Sequence, residues 1–276
     1  YELLDCGDGR RLERFAFHVI DRPAPGALWG KSLPSQEWKQ ADLFFDSAVG
    51  RQGAWRESPA LQKLTIGPLT LELRLSANSQ VGLFPEQLSN WQWIYDTLKP
   101  ATRPVNVLNA FAYTGVASLM ASAASEQVQV CHVDGAKSAI SWARKNAEHS
   151  GLAQRPIRWI NEDVLTFLRK EVRRGKKYEG LILDPPAFGR GPGGDWKLKR
   201  DLPELMSLAN DLLSDSASFI VLSCHAPELT SDDLSQYISD LKVFADAPVE
   251  TLELVIPSGK GTALPSSICA RVHSRG

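Results

Sequence analysis

Gly180-Leu181-Ile182-Leu183-Asp184-Pro185-Pro186-Ala187-Phe188 is the stretch on which the fold turns. The apolar run is short and stops at two successive prolines, so it reads as a buried strand leaving a sheet. Neither proline has a backbone donor and each has a fixed φ. The exit is therefore extended and rigid, with Asp184 and the proline carbonyls at its rim. Such a rim suits a flat, amide-like group. Nucleobases present donor and acceptor edges and a π-face, and Phe188 can stack on one. An ordinary strand-to-loop exit has the same pattern, so the surrounding chain must separate the two.

From Val105 onward, apolar runs alternate with amphipathic segments, the pattern of a parallel sheet with helices on both faces. Strands are expected at 104–108, 129–133, 157–160, 180–183 and 218–222, with helices at 88–98, 115–124, 137–150, 163–174 and 231–241. A hairpin of 250–256 and 266–272, turning through Pro257-Ser258-Gly259-Lys260-Gly261, is expected to close the sheet. The first eighty residues differ. Turn signals such as Gly7-Asp8-Gly9 and Ile66-Gly67-Pro68 separate short alternating segments, among them 15–20 and 69–75. The expected organisation is α/β, with a small β-rich accessory domain at 1–80 and the parallel-sheet domain at 81–276.

A chain of 276 residues with 43% hydrophobic content can bury a sizeable core. The formal charge of −1 argues against a generally basic nucleic-acid binder, so any RNA contact must be regional. Cys6, Cys131, Cys224 and Cys269 are too scattered for a zinc site or a disulfide framework, which points to a reducing, cytoplasmic location and no metal. No apolar run approaches bilayer length, so no membrane partner is expected. The chain begins at Tyr1 rather than Met, which leaves room for a removed organellar targeting segment.

Ligands of open parallel sheets sit beyond the carboxyl ends of the strands. Five candidate elements fall there: the loop Asn109-Ala110-Phe111-Ala112-Tyr113-Thr114-Gly115, Asp134, Asn161-Glu162-Asp163, Asp184 and Cys224. Gly115 permits close backbone approach, and the following helix N-terminus favours a carboxylate. Asp134 suits the two hydroxyls of a ribose. Asp163 suits an exocyclic adenine amine, or serves only as a helix N-cap. A dinucleotide site would show three glycines packed against a pyrophosphate. This loop has one glycine and two aromatics, so a nucleoside carrying an amino acid, S-adenosylmethionine, fits better.

Val107-Leu108-Asn109-Ala110-Phe111-Ala112-Tyr113-Thr114-Gly115, Val133-Asp134, Asp184-Pro185-Pro186-Ala187-Phe188 and Ser223-Cys224 together resemble the class I S-adenosylmethionine-dependent methyltransferases that modify large-subunit ribosomal RNA, above all their cytosine-5 branch. The resemblance covers 82–272. It implies a Rossmann-like sheet, S-adenosylmethionine as cofactor and ribosomal RNA as substrate. The cofactor is expected to meet Asn109, Phe111, Tyr113, Thr114, Gly115, Asp134, Asp163, Asp184 and Pro185. By resemblance, a segment at Gly82-Leu83-Phe84-Pro85-Glu86-Gln87 covers it, through Phe84, Glu86 and Gln87. Two departures stand out. The RNA-binding PUA domain of many relatives is not evident in the first eighty residues, and His225 follows Cys224 where the branch usually has a second serine.

Carbon-5 of cytosine is a poor nucleophile, so its methylation needs a thiolate added at carbon-6. Cys224 stands where that thiolate is required, and Asp184 can hold the N3 and amino edge as it adds. The base that removes the carbon-5 proton is His225 or water. Equally, Cys224 can be a small apolar residue finishing a buried strand. Methylation of an amino or ring nitrogen would not need it, and a non-catalytic RNA-binding module would need neither. Cys131, Cys269 and His132 are expected to be structural.

The cations Arg169, Lys170, Arg173, Arg174, Lys176 and Lys177 end a helix and complement its dipole. The stretch at 189–200 combines glycines with Arg190, Trp196, Lys197, Lys199 and Arg200. It reads as a mobile RNA-contacting lid, with Pro186 and Phe188 beside it at the substrate, or as a plain linker.

Overall fold

The computed structural model describes residues 1–48, 53–56, 61–191 and 194–274. The chain divides into two compact units, Tyr1–Gln87 with Leu254–Ser266, and Leu88–Glu253 with Ser267–Gly276. The first unit thus runs past residue 80 and takes in part of the C-terminal hairpin.

In the first unit, β1 (Glu2–Gly7), β2 (Arg10–Phe15), β3 (His18–Pro23), β4 (Leu43–Asp46) and β5 (Ala54–Trp55) form one sheet in sequence order. A short helix, α1 (Ser35–Trp38), precedes β4, and β6 (Leu64–Ile66) pairs with β7 (Leu69–Leu71) as a ribbon. The segment expected to alternate through 15–20 instead takes in the end of β2, a tight turn and the start of β3, because Ala16 takes a left-handed φ of 53° and reverses the chain. Asp5 is fully buried, and its carboxylate accepts from the backbone N–H groups of Cys6, Ser32 and Leu33 and from the Trp38 indole. One acidic side chain thereby pins the loop that leads into α1.

The second unit begins with α2 (Leu88–Leu98). Then β8 (Val105–Ala110), α3 (Val116–Ala124), β9 (Val128–Asp134), α4 (Lys137–His149), β10 (Ile157–Asn161), α5 (Val164–Arg173) and β11 (Gly180–Leu183) alternate. A small antiparallel hairpin of β12 (Phe188–Gly191) and β13 (Gly194–Lys197) follows, then α6 (Leu198–Leu212), β14 (Phe219–Cys224) and α7 (Ser231–Ser239). β15 (Glu250–Ile256) and β16 (Leu264–His273) finish the chain.

The sheet order is β10-β9-β8-β11-β14-β16-β15, parallel from β10 to β14 and antiparallel at β14/β16. Every residue of β11 and β14 is buried, which is why those strands read as unbroken apolar runs. Gly180 is required because any side chain there would run into the Phe219 ring on β14. Strand order reverses between β8 and β11, which puts a crevice beyond their carboxyl ends.

The stretch expected as a lid or linker is ordered differently. It is the β12/β13 hairpin and the first turn of α6, anchored by the buried Trp196. Pro192 and Gly193 and the side chain of Arg190 lie outside the described residues.

Candidate active site

Beyond β8 the chain turns through Phe111 (φ 59°), Tyr113 (φ 49°) and Gly115 (φ 87°). Two non-glycine residues in the left-handed region cost about 1–3 kcal/mol each, so their surroundings must over-determine them. They do. Ala112 N donates to Val133 O at 3.1 Å, Tyr113 N to Asp134 Oδ2 at 2.8 Å, and Asn146 Nδ2 to Thr114 O at 2.9 Å. Beneath the loop, Asn109 Nδ2 donates to Ser118 Oγ at 2.9 Å, and Ser118 Oγ lies 2.9 Å from His132 Nδ1. All three side chains are buried, so Asn109, expected at the cofactor, props the loop from below. Burial pushes the His132 imidazole down to about 3 and keeps it neutral.

Gly115 precedes α3, and a Cβ there would lie 2.9 Å from Ala143 Cβ. No side chain caps α3, which leaves its positive end to an anionic group. At the end of β9, Asp134 accepts from Tyr113 N through Oδ2 and from Ala136 N through Oδ1, both at 2.8 Å. Burial raises its pKa against the pull of those two donors. Beyond β10, Asp163 Oδ1 accepts from Thr166 N at 2.9 Å, so the N-cap expectation for Asp163 is realised on α5.

Parallel pairing of β11 with β14 sets Leu183 opposite Leu222, so the Asp184 rim meets Ser223-Cys224 on the neighbouring strand. Ser223 Oγ donates to Asp184 Oδ1 at 2.7 Å. Cys224 is 0% exposed, and its thiol is pushed up to about 12, first by burial and then by the carboxylates of Asp184 and Glu228. An attacking sulfur must be accessible and ionised. Cys224, expected as the nucleophile, is here a buried, protonated thiol.

Trp196, expected to contact RNA, is only 8% exposed. Its Nε1 donates to Pro186 O at 2.6 Å, and its ring packs on Phe111 with centroids 4.8 Å apart. The Pro186 carbonyl, expected at the substrate, is thereby engaged within the protein. Phe188 is half exposed, and Lys197 and Lys199 are exposed. Arg200 pairs with Asp201 at 2.7 Å. On α5 and its C-cap, Arg169 pairs with Glu204, Lys170 with Glu162, and Arg174 with the buried Glu171, so three of these cations are held in ion pairs. Ser118 and Asn146, which brace the cofactor loop, were not singled out from the sequence; as polar residues in helices they carry no distinguishing signal.

Comparisons with known proteins give the family and the fold. A family model described as S-adenosylmethionine-dependent methyltransferase matches residues 40–236. The chain belongs to that family. A crystal structure of the SAM-dependent methyltransferase from Agrobacterium tumefaciens is 36% identical, with a TM-score of 0.91 over 99% of this chain and 89% of that one. Ribosomal RNA large subunit methyltransferase I of Klebsiella pneumoniae is 27% identical over 71% of this chain and 47% of its own length. Its namesake in Aeromonas salmonicida is 30% identical over 67% of this chain and 46% of its own. The chain spans about half the length of these curated relatives.

As a member of the methyltransferase family, the chain has residues that fit S-adenosylmethionine: the uncapped end of α3 for the carboxylate and Asp134 for the ribose. Asp163 keeps a second oxygen for a donor beside its capping bond. Phe84, Glu86 and Gln87 belong to the first unit, where Ser266 Oγ donates to Glu86 Oε1 at 2.7 Å and Gln87 is buried. Among the described residues, no group of three His, Cys, Asp or Glu side chains is placed to hold a metal ion, and no helix is long and apolar enough to cross a membrane.

Proposed function

We propose that this chain methylates a base of ribosomal RNA, with cytosine carbon-5 as the acceptor and Cys224 as the nucleophile. The observation that carries the reading is the juxtaposition of Asp184 and Ser223-Cys224 at the ends of adjacent parallel strands, beside the switch point. The printed names of the curated relatives support an RNA substrate. When bound, S-adenosylmethionine supplies an electrophilic methyl group on a positively charged sulfur.

The chain's own residues divide the remaining work. Asp184 holds the N3 and amino edge of the base and favours protonation at N3 as Cys224 Sγ adds to carbon-6. That bond makes carbon-5 electron-rich. Once carbon-5 carries the methyl group, loss of its proton to His225 or water expels the thiolate and restores the ring. Because Cys224 is covered and protonated here, this reading requires that base binding uncover the thiol and that its proton leave before attack.

The same burial favours a second reading, methylation of an amino or ring nitrogen without a covalent step. Labelled methyl transfer to protein-free large-subunit ribosomal RNA, followed by nucleoside analysis, identifies the product. A Cys224→Ala variant then separates the two readings. Abolished turnover with retained S-adenosylhomocysteine binding supports the covalent route, and full turnover rejects it.

A further inference from the structure

We propose that Trp196 is a positioning residue that couples the cofactor loop to the base-binding rim. The inference rests on the proposed function, in which the loop after β8 serves the cofactor and the rim after β11 serves the base. Trp196 lies on β13, which belongs to neither. It touches both: its Nε1 donates to Pro186 O at 2.6 Å, and its ring packs on Phe111 at 4.8 Å.

The chemistry of the rim explains why one indole matters there. Pro185 and Pro186 have φ fixed by their rings, so the freedom left to the rim lies mainly in the peptide planes that follow. The plane after Pro186 is fixed by the Trp196 N–H, and the plane after Ala187 by Leu198 N, which donates to Ala187 O at 3.0 Å. On the other side, Phe111 is held in a left-handed conformation, so a change in the cofactor loop must move its ring against the indole. At 8% exposure Trp196 has little room to absorb that movement, which is passed on to the Pro186 carbonyl. A ligand that favours one arrangement of the loop thereby favours one arrangement of the rim, and the coupling is reciprocal.

The test measures binding of S-adenosylhomocysteine by the full chain with and without in-vitro-transcribed large-subunit ribosomal RNA, alongside labelled methyl transfer. In the unaltered protein the two ligands should tighten one another by roughly 5-fold or more. Trp196→Phe keeps an aromatic ring and loses the N–H. Coupling should fall to within about twofold of none and kcat should drop about tenfold, with the dissociation constant for S-adenosylhomocysteine alone kept within about threefold. A merely structural role would instead lower the melting temperature and weaken both ligands together. Phe111→Leu, which breaks the other end of the link, should lose the same coupling, read as the ratio of S-adenosylhomocysteine affinities with and without RNA so that any direct loss of cofactor affinity at Phe111 cancels, and carries the test if Trp196→Phe does not fold. Retained coupling in a folded variant overturns the proposal, as does absence of coupling in an unaltered protein that transfers methyl groups. An unaltered protein that binds S-adenosylhomocysteine but methylates no RNA rejects the proposed function first, and this inference with it.

Discussion

The carboxylate of Asp134 accepts the backbone N–H of Tyr113 at 2.8 Å, tying the end of β9 to the left-handed turn after β8. One side chain therefore shapes the loop, and in the proposed function its remaining lone pairs would hold the ribose. Asp134→Asn keeps the volume but must turn an amide N–H toward Tyr113 N or Ala136 N, donor against donor. Hydrogen bonds to charged groups contribute about 1.5–3 kcal/mol, so affinity for S-adenosylhomocysteine should fall roughly 10- to 150-fold. Isothermal titration calorimetry reads this directly, and a dissociation constant within threefold of the original would remove Asp134 from the cofactor site. Burial raises the Asp134 pKa, and ribose hydroxyls donate to its ionised form. Affinity should therefore begin to weaken with acid above the ordinary carboxylate range.

Gly115 supports the same loop by having no side chain. Its φ is 87°, and a Cβ would meet Ala143 Cβ at 2.9 Å. Gly115→Ala adds a left-handed penalty of about 1–2 kcal/mol to an overpacking cost of about 1–3 kcal/mol. A stability loss of about 2–5 kcal/mol in urea unfolding is expected, with weakened cofactor binding. Unchanged unfolding and binding would show that the turn relaxes without consequence.

His132 makes stability depend on pH. It is fully buried and held neutral, with a folded pKa of about 3 against an ordinary value of 6.5. The unfolded chain therefore binds the extra proton between those values. Stability from this group is fully present above pH 6.5 and is lost as pH falls toward 3, by up to about 1.4 kcal/mol per pH unit. His132→Gln should flatten the acid side of the stability profile relative to the parent, whatever its effect at neutral pH. Parallel profiles from pH 7 to 4 would contradict the assignment.

The parallel sheet was legible because its strands carry their own boundaries. β11 occupies Gly180–Leu183 as read, since two prolines stop it, and α2 spans Leu88–Leu98 as read. Within 189–200, glycines, cations and a tryptophan look like a surface lid, and the burial of Trp196 was not legible there. That burial comes from Trp196 meeting Phe111 and Pro186, partners that no local pattern reveals. Cys224 was legible in position but not in state. Strand spacing places it at the rim, whereas its protonation follows from burial and from the carboxylates of Asp184 and Glu228. Asp163 shows the reverse case, because an N-cap is a local signal and the capping bond is there.

Glu13 tests how the first unit is held together. Fully buried, it accepts from Arg22 Nε at 2.6 Å, Arg22 Nη2 at 3.2 Å and the Tyr1 hydroxyl at 2.7 Å. Arg11 Nε adds a charge contact at 3.3 Å without hydrogen-bond alignment. Burial alone would push the Glu13 carboxyl up, but Arg11 and Arg22 outweigh it and hold the pKa low. Glu13→Gln keeps the shape but removes the nearest counter-charge of two guanidinium groups, leaving them only the weaker influence of Glu86. Breaking a buried pair from one side costs about 3–5 kcal/mol, whereas replacing both partners with apolar residues is often near neutral. Denaturation followed by circular dichroism should therefore find Glu13→Gln strongly destabilised, and a Glu13→Leu, Arg22→Met double variant less so than the sum of its single changes. Because the folded pKa is depressed, the stabilisation is complete above the unfolded carboxylate range and disappears as pH falls through the folded value. A single variant that loses less than about 1 kcal/mol would mean that water reaches the site and screens the two arginines.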